Sequence, residues 1–109
     1  MAISVMIRRK VNDKAKAAKL APLIVKIRSV ATIQPGYITG RTFRCLDDPG
    51  EFLVMSTWNN LDDWNRWLKS EQRNALQTQI DELLGEETKY RIYESLAGGI
   101  IPKFKSVKD

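Results

Sequence analysis

The amino-acid sequence predicts an α+β domain in which helices cover one face of a four-stranded antiparallel sheet. Three observations predict it. The chain has 109 residues, which suits a single domain. Short stretches that alternate apolar and polar side chains are separated by stretches with helical apolar spacing, and their order is β-α-β-β-α-β. Finally, 43% hydrophobic and 28% charged residues indicate a folded, globular chain and not a disordered one.

The first strand and the first helix occupy the first third of the chain. Residues 2–10 alternate between two faces and predict a strand. Asn12 or Asp13 supplies a helix cap, and apolar residues then recur at helical spacing up to Ala31. Pro22 lies within this pattern, so we expect it either to kink the helix or to begin a second helical segment.

A hairpin is predicted in the middle of the chain. The Gln-Pro-Gly sequence at residues 34–36 ends the helix. Residues 37–46 and 51–59 then predict the second and third strands. The Asp-Asp-Pro-Gly turn at residues 47–50 is short, which indicates that these two strands pair antiparallel.

The second helix of the predicted order consists of two consecutive helical stretches. Asn59 or Asn60 caps the first stretch, which presents Trp64 and Trp67 on one face. The second stretch covers about residues 71–84, with its own apolar stripe.

The domain is predicted to end with a fourth strand. Gly85 stops the preceding helix, and residues 87–95 alternate as a strand does. We therefore place the domain at residues 1–96 and an extended C-terminal tail with a basic end at residues 97–109.

The third strand carries apolar side chains on both of its faces. One face has Phe52, Val54 and Trp58, and the other has Leu53 and Met55. A sheet with helices on one face ordinarily presents polar residues on the other. A second copy of the chain, packed sheet against sheet, would cover the apolar residues, so we expect a homodimer.

Charge and missing residue types narrow the kinds of function. The net charge is +5, but the 18 lysines and arginines are scattered and do not alternate with aromatic residues, so a solvated basic surface is favoured over nucleic-acid binding. The chain has no histidine, and Cys45 is its single cysteine. Without histidine, the chain lacks the commonest general base and the commonest metal ligand, and one cysteine cannot form a metal cluster. We therefore expect no metal site.

The beginning of the sequence predicts no targeting segment. Its first ten residues, MAISVMIRRK, contain only a short apolar run, and the charges follow that run. This pattern is typical of neither a signal peptide nor a membrane span. We expect a cytoplasmic protein without a membrane partner.

Three tryptophans carry a resemblance to a known family. Trp58, Trp64 and Trp67 are spaced W-x5-W-x2-W, and the stretch WLKSEQRNALQ begins at the last of them. Together with the Pro-Gly break before Tyr37 and the ferredoxin-like split βαβ order, residues 2–95 resemble the antibiotic biosynthesis monooxygenase (ABM) family. The resemblance implies a dimeric α/β barrel, with a pocket between sheet and helices in each subunit.

The resemblance implies oxygenation of polycyclic phenols without a cofactor, quinol oxidation, or oxidative haem breakdown. Haem-degrading members have a tryptophan that Trp67 matches, but ten residues later their iron-ligating histidine is replaced here by Gln77. They also use an asparagine in the first strand, where this chain offers Ile7 or Arg8. Because glutamine is a poor iron ligand, the resemblance favours chemistry that needs no cofactor.

In the cofactor-free oxygenases, the electron-rich substrate itself reduces dioxygen. The protein deprotonates a small aromatic molecule, holds it against an aromatic wall and stabilises its negative charge. The residues that match these roles are, for catalysis, Trp67, Asn60 and Arg73 and, for substrate binding, Trp64, Tyr37, Arg41 and Trp58. The tryptophans would form the wall, the asparagine would orient substrate or oxygen, and an arginine would stabilise the anion.

Each candidate also has a purely structural interpretation. Tryptophans on one helix face ordinarily pack onto a sheet, Asn60 is also expected as a helix cap, and Arg73 is expected to be solvated on an exposed helix. Two rival functions follow. The dimer binds a small apolar ligand without turnover, or the pocket is filled by its own side chains and the domain is structural.

Overall fold

The structure, a computed structural model, describes residues 1–96. Its elements are strand β1 (Ile3–Lys10), helix α1 (Lys14–Ala31), strands β2 (Tyr37–Arg44) and β3 (Glu51–Trp58), helices α2 (Leu61–Leu68) and α3 (Glu71–Leu84), and strand β4 (Arg91–Glu94). This order confirms the predicted α+β fold, with the second helix in two parts. The predicted tail at residues 97–109 lies outside the described residues. None of the helices in the described part is long and apolar enough to cross a membrane.

The four strands form one antiparallel sheet in the order β2-β3-β1-β4. β1 pairs with β3 along its whole length, from Ile3 opposite Trp58 to Lys10 opposite Glu51. β2 pairs with β3, as the short turn between them predicts. β4 pairs only with residues 3–6 of β1, so within residues 1–96 the second half of β1 has no partner strand on that side.

The helix boundaries follow from side-chain caps. The Asp13 carboxylate accepts the backbone N–H of Ala15 at 2.8 Å and begins α1, which includes Pro22 and runs on to Ala31. No second helical segment begins at Pro22. The Ser70 hydroxyl caps α3, and Gly85 ends it in the left-handed conformation, with φ of 73°.

The fourth strand is shorter than the sequence predicts. Alternation suggested a strand from residue 87, but β4 begins at Arg91. The reason is that the side chains of Thr88 and Tyr90 bond to Asp81 and Gln77 of α3, which draws this segment towards the helix and away from the sheet edge.

The two faces of the sheet differ in their cover. Residues directly opposite one another in a sheet share a face, and the face of Val5 and Trp58 packs against the helices as the core. The other face carries Phe43, Leu53 and Tyr93, whose side chains are 41%, 37% and 46% exposed. The second apolar face that the sequence indicates is therefore present, and no part of residues 1–96 covers it.

Candidate functional site

A cavity of about 90 Å³, partly open to solvent, lies between the sheet and the three helices. Two groups of side chains shape it. The aromatic wall consists of Tyr37, Trp58, Trp64 and Trp67. The polar cluster consists of Arg9, Arg73, Gln77 and Tyr90, which line the cavity, and of Asp81 and Thr88, which bond to them.

The aromatic wall is built around Trp58 at the end of β3. Its ring centre lies 5.4 Å from that of Tyr37 and 5.8 Å from that of Trp64, both in edge-to-face contact. The ring of Trp67 stacks on it at 6.3 Å. α2 presents Trp64 and Trp67 together because residues three apart share a helix face. All three tryptophans are at most 5% exposed, so the wall is rigid and largely dry.

The indole N–H groups of this wall are used differently. That of Trp58 donates to the Ser56 hydroxyl at 3.0 Å, which completes the hydrogen bonding of a core residue. Those of Trp64 and Trp67 have no acceptor among residues 1–96. Two indole N–H donors of cavity-lining residues are therefore without a protein acceptor in the described chain.

Gly40 makes room for the Tyr37 hydroxyl. A Cβ at Gly40 would clash with that hydroxyl, so the missing side chain lets the phenol lie across β2. The Gly40 carbonyl also accepts from the Arg28 guanidinium at 3.1 Å, which ties α1 to β2 at the edge of the cavity. A glycine within a strand usually marks such a close approach.

Gln77 is the hub of the polar cluster. Its amide nitrogen donates to Asp81 at 2.9 Å and to Thr88 at 2.7 Å, and its amide oxygen accepts from the Tyr90 hydroxyl at 3.3 Å. The Thr88 hydroxyl in turn donates to Asp81 at 2.6 Å. Because both ends of the amide are engaged, the network fixes the side chain in one orientation.

Arg73 reaches the interior although it lies in the first turn of α3. Its guanidinium donates to the Leu68 carbonyl at 3.1 Å and to the Asn74 side chain at 2.7 Å, and it lies 5.2 Å from the centre of the Tyr90 ring. The residue is 5% exposed. The expectation of a solvated Arg73 is therefore wrong, because these carbonyl, amide and aromatic partners replace water around the charge.

Arg9 is the second buried arginine, at 6% exposure. One terminal nitrogen donates to the Thr88 hydroxyl at 3.3 Å, while its enclosed Nε–H has no acceptor in the described chain. Burial lowers the pKa of both Arg9 and Arg73, and the charge of Asp81 partly opposes this. Both remain protonated, because an arginine pKa is too high for burial of this kind to neutralise it.

Two predicted residues are placed differently from the other five. Asn60 is exposed and does not line it, because its side chain caps α2 by accepting the backbone N–H of Asp63 at 2.8 Å. Arg41 borders the cavity, but the strand register assigns it to the uncovered face. There its guanidinium lies 5.4 Å from the centre of the Phe43 ring. The other predicted site residues, Tyr37, Trp58, Trp64, Trp67 and Arg73, line the cavity together.

Sequence reasoning missed Arg9 and undervalued Gln77. The signal for Arg9 was available, because it continues the parity of Ile3, Val5 and Ile7 and so lies on the buried face. In the sequence, Gln77 stands out only because it replaces a histidine. Its position on the apolar side of α3, one residue after Leu76, is what buries it.

The site does not fit haem or a clustered metal centre. Glutamine is a weak iron ligand, the amide of Gln77 is fully engaged with protein groups, and the sequence contains no histidine. Within residues 1–96, no three potential metal-ligating side chains come together. The polar groups that line the cavity are instead indole, phenol, amide and guanidinium groups.

These observations define a ferredoxin-like α+β domain whose helices and sheet enclose an aromatic cavity with a cationic polar side. The family model described as antibiotic biosynthesis monooxygenase matches residues 2–79. The chain therefore belongs to the antibiotic biosynthesis monooxygenase family, as the tryptophan pattern indicates.

Solved structures share this fold at low sequence identity. A conserved protein from Methanosarcina mazei has a TM-score of 0.78 and 19% identity, with 88% of this chain and 94% of that one covered. SnoaB from Streptomyces nogalater, a cofactor-independent oxygenase, has a TM-score of 0.76 and 14% identity, with 90% and 96% covered. Rv0793 from Mycobacterium tuberculosis has a TM-score of 0.76 and 14% identity, with 92% of this chain and 100% of that one covered. No curated protein sequence matches the chain.

Proposed function

We propose that this protein is a cofactor-independent monooxygenase that oxidises a small aromatic or quinol-type molecule with dioxygen. The observation that carries the proposal is the cavity itself. An aromatic wall with two unused indole N–H donors, on Trp64 and Trp67, stands beside the buried positive charge of Arg73. Family membership and the fold shared with a cofactor-independent oxygenase support it.

The reaction needs no redox group on the protein. The ionised phenol supplies the electrons. One atom of dioxygen replaces the hydrogen of a ring carbon, and this C–O group and the phenol oxygen become the two carbonyls of a quinone. The ring hydrogen and the hydroxyl hydrogen leave with the other oxygen atom as water. Trp64 and Trp67 would hold the ring and donate to its oxygen, and Arg73 would stabilise the anion before electron transfer. Orientation and electrostatic stabilisation are therefore the protein's whole contribution.

The size of the cavity limits the substrate. Its volume of about 90 Å³ is below the roughly 150 Å³ of a buried cavity that takes up benzene. A single ring would enter after a small movement of the wall, and a fused-ring molecule would extend through the open side. We therefore propose a one-ring substrate, or the edge ring of a larger one.

A non-catalytic ligand-binding dimer is the second candidate, and one observation favours it. No aspartate, glutamate or histidine lines the cavity within the described residues, so no ordinary general base faces a bound ring. A binding protein needs none. An oxygenase with this site would depend on a substrate acidic enough to arrive ionised.

Oxygen consumption tests the first proposal. Purified protein is incubated with a panel of hydroquinones and anthrones in an oxygen electrode. Trp67→Phe removes the indole donor but keeps an aromatic ring, and Tyr93→Phe on the uncovered face is the matched control. We expect substrate-dependent oxygen uptake that falls about tenfold or more in Trp67→Phe and is unchanged in Tyr93→Phe.

Two results of this experiment would contradict the oxygenase. Uptake at the buffer rate across the whole panel would remove it. An aromatic molecule that remains bound during native mass spectrometry, without turnover, would establish the binding function in its place.

We also propose that the protein acts as a homodimer. The uncovered face of the sheet carries Phe43, Leu53 and Tyr93, an apolar group that residues 1–96 of a single chain leave exposed. A second copy of the same face would bury it symmetrically.

A further inference from the structure

We infer that the polar cluster is an anion subsite and that the ligand of the cavity is an aromatic carboxylate, held at its carboxylate group by Arg9 beside Arg73. The inference rests on the proposed function, since it specifies the ligand of the same cavity. It adds Arg9 as a residue that determines specificity.

The hydrogen bonding of Arg9 is incomplete. Only one of its terminal nitrogens has an acceptor, the Thr88 hydroxyl at 3.3 Å. Its Nε–H is enclosed by protein and has no acceptor among residues 1–96. A buried donor without a partner costs free energy, and a ligand oxygen that reached Arg9 after a small movement of the wall would recover it.

The two buried arginines also lack paired carboxylates. In the part of the chain that the structure describes, the ion pairs involve Arg8, Lys10 and Arg66, and no carboxylate lies within 4.0 Å of either Arg9 or Arg73. Buried charges in proteins are ordinarily paired. The site is therefore built for a negative charge that the protein itself does not supply.

Asp81 does not fill this role. Its charge is close enough to influence both arginines. However, Asp81 Oδ1 accepts from Gln77 and Thr88 and makes no direct contact with either guanidinium. One carboxylate facing two guanidinium groups still leaves an excess positive charge beside the cavity.

The geometry favours a carboxylate over other anions. A guanidinium presents parallel N–H groups that match the two oxygens of a carboxylate, and the edge of Arg9 that contains Nε is the unused one. The aromatic wall lines the same cavity and would receive the ring. A planar molecule with a ring and an attached carboxylate matches both halves.

Calorimetry with benzoate and benzamide tests the inference. The two probes have the same shape and differ in charge, and each has a single ring, which would enter after a small movement of the wall. We expect the wild-type protein to bind benzoate about tenfold more tightly than benzamide. Arg9→Met should lower this ratio towards one, because only the charge of Arg73 would then favour the carboxylate. Arg9→Lys should give an intermediate ratio, since it keeps the charge but loses the paired donors.

Arg91→Met is the matched control, because Arg91 is an exposed arginine of β4 outside the cavity lining. It should leave the ratio at its wild-type value. Equal binding of the two probes by wild-type protein would overturn the inference, as would no detectable binding of either probe up to its solubility. Loss of preference in Arg91→Met, or its retention in Arg9→Met, would equally overturn it. The wild-type comparison decides even if Arg9→Met fails to fold.

The experiment also separates the two proposals. Preference for benzoate together with no oxygen uptake from any phenol would leave the anion subsite in place and remove the oxygenase. Oxygen uptake from neutral hydroquinones without any preference for benzoate would do the reverse.

Discussion

The rings of Trp58 and Trp67 stack with their centres 6.3 Å apart and their planes 23° apart. This contact joins the last residue of β3 to the helix that follows it, although the two residues have different tasks. Trp58 is 1% exposed and its indole N–H is bonded within its own strand, whereas that of Trp67 has no acceptor in the described chain. Trp58 is therefore a core residue, whereas Trp67 has a free N–H group that the proposed function assigns to a ligand.

Replacing Trp58 should therefore act on stability. Trp58→Ala removes the centre of the aromatic wall and should reduce the free energy of unfolding by about 3–5 kcal/mol. Chemical denaturation measures this, with Trp67→Phe as the comparison, since that variant keeps a ring in place. A smaller loss in Trp58→Ala than in Trp67→Phe would contradict the assignment of Trp58 as the core residue.

Asn60 should act as a helix cap and not as a catalytic residue. Asn60→Ala should cost about 1 kcal/mol of stability, because the backbone N–H of Asp63 loses its acceptor. Asn60→Asp should restore the cap and leave ligand binding and oxygen uptake at wild-type levels. A large loss of activity in a fully stable Asn60→Asp variant would instead restore the role that the family resemblance gave this residue.

Gly40 and Tyr37 should be coupled. Gly40→Ala introduces a Cβ where the Tyr37 hydroxyl lies, so the phenol must move and the cavity must change shape. We expect weaker ligand binding and a lower melting temperature for this variant. Adding Tyr37→Phe removes the clashing oxygen, so the double variant should recover part of both losses. Simple additivity of the two changes would show that the close approach is unimportant.

The ion pair between Arg8 of β1 and Glu51 of β3 should make a pH-dependent contribution in acid. A hydrogen bond from Arg8 at 2.8 Å lowers the pKa of Glu51. Because the folded pKa lies below the unfolded value, the pair stabilises the fold above the unfolded pKa, and this stabilisation is lost as pH falls through the folded pKa. Arg8→Gln should return the Glu51 pKa towards its ordinary value in an NMR titration. The effect on stability should be small, since the pair is at the surface.

The uncovered face should determine the oligomeric state. Leu53→Lys places a charge in the centre of that face and should convert a dimer into a monomer. Leu46→Lys is the matched control, because Leu46 lies beyond the end of β2 and is 87% exposed. Light scattering after size exclusion gives the masses. A monomeric wild-type protein, or a Leu53→Lys variant that remains dimeric, would remove the proposed interface.

Much of the fold was predictable because its signals are local. Asn60, Gly85 and the turn at residues 47–50 act within a few residues of themselves, and the structure confirms each of them as a boundary. The start of β4 was not predictable in this way. Residues 87–90 alternate as a strand does, but the side chains of Thr88 and Tyr90 bond back to α3, the helix just before them, and the alternation does not reveal these bonds.

The site was half predictable, for a related reason. The size and spacing of three tryptophans predict an aromatic wall. The burial of Arg73 and Arg9 depends on partners in other elements, such as Tyr90 and Thr88, that no local pattern reveals. From sequence alone, a charged side chain is expected to be solvated. Only the folded structure shows that protein groups replace water around these two arginines.

The break at Lys69 and Ser70 places two separate helices at the cavity. α2 ends there with Trp67 in its last turn, and α3 begins with its own serine cap, followed by Arg73 and Gln77. Arg73 also joins the two helices, because it donates to the Leu68 carbonyl at the end of α2. If the proposed roles hold, an α3 that keeps Arg73 but carries different polar residues would change which functional group is bound, while α2 would still hold the ring.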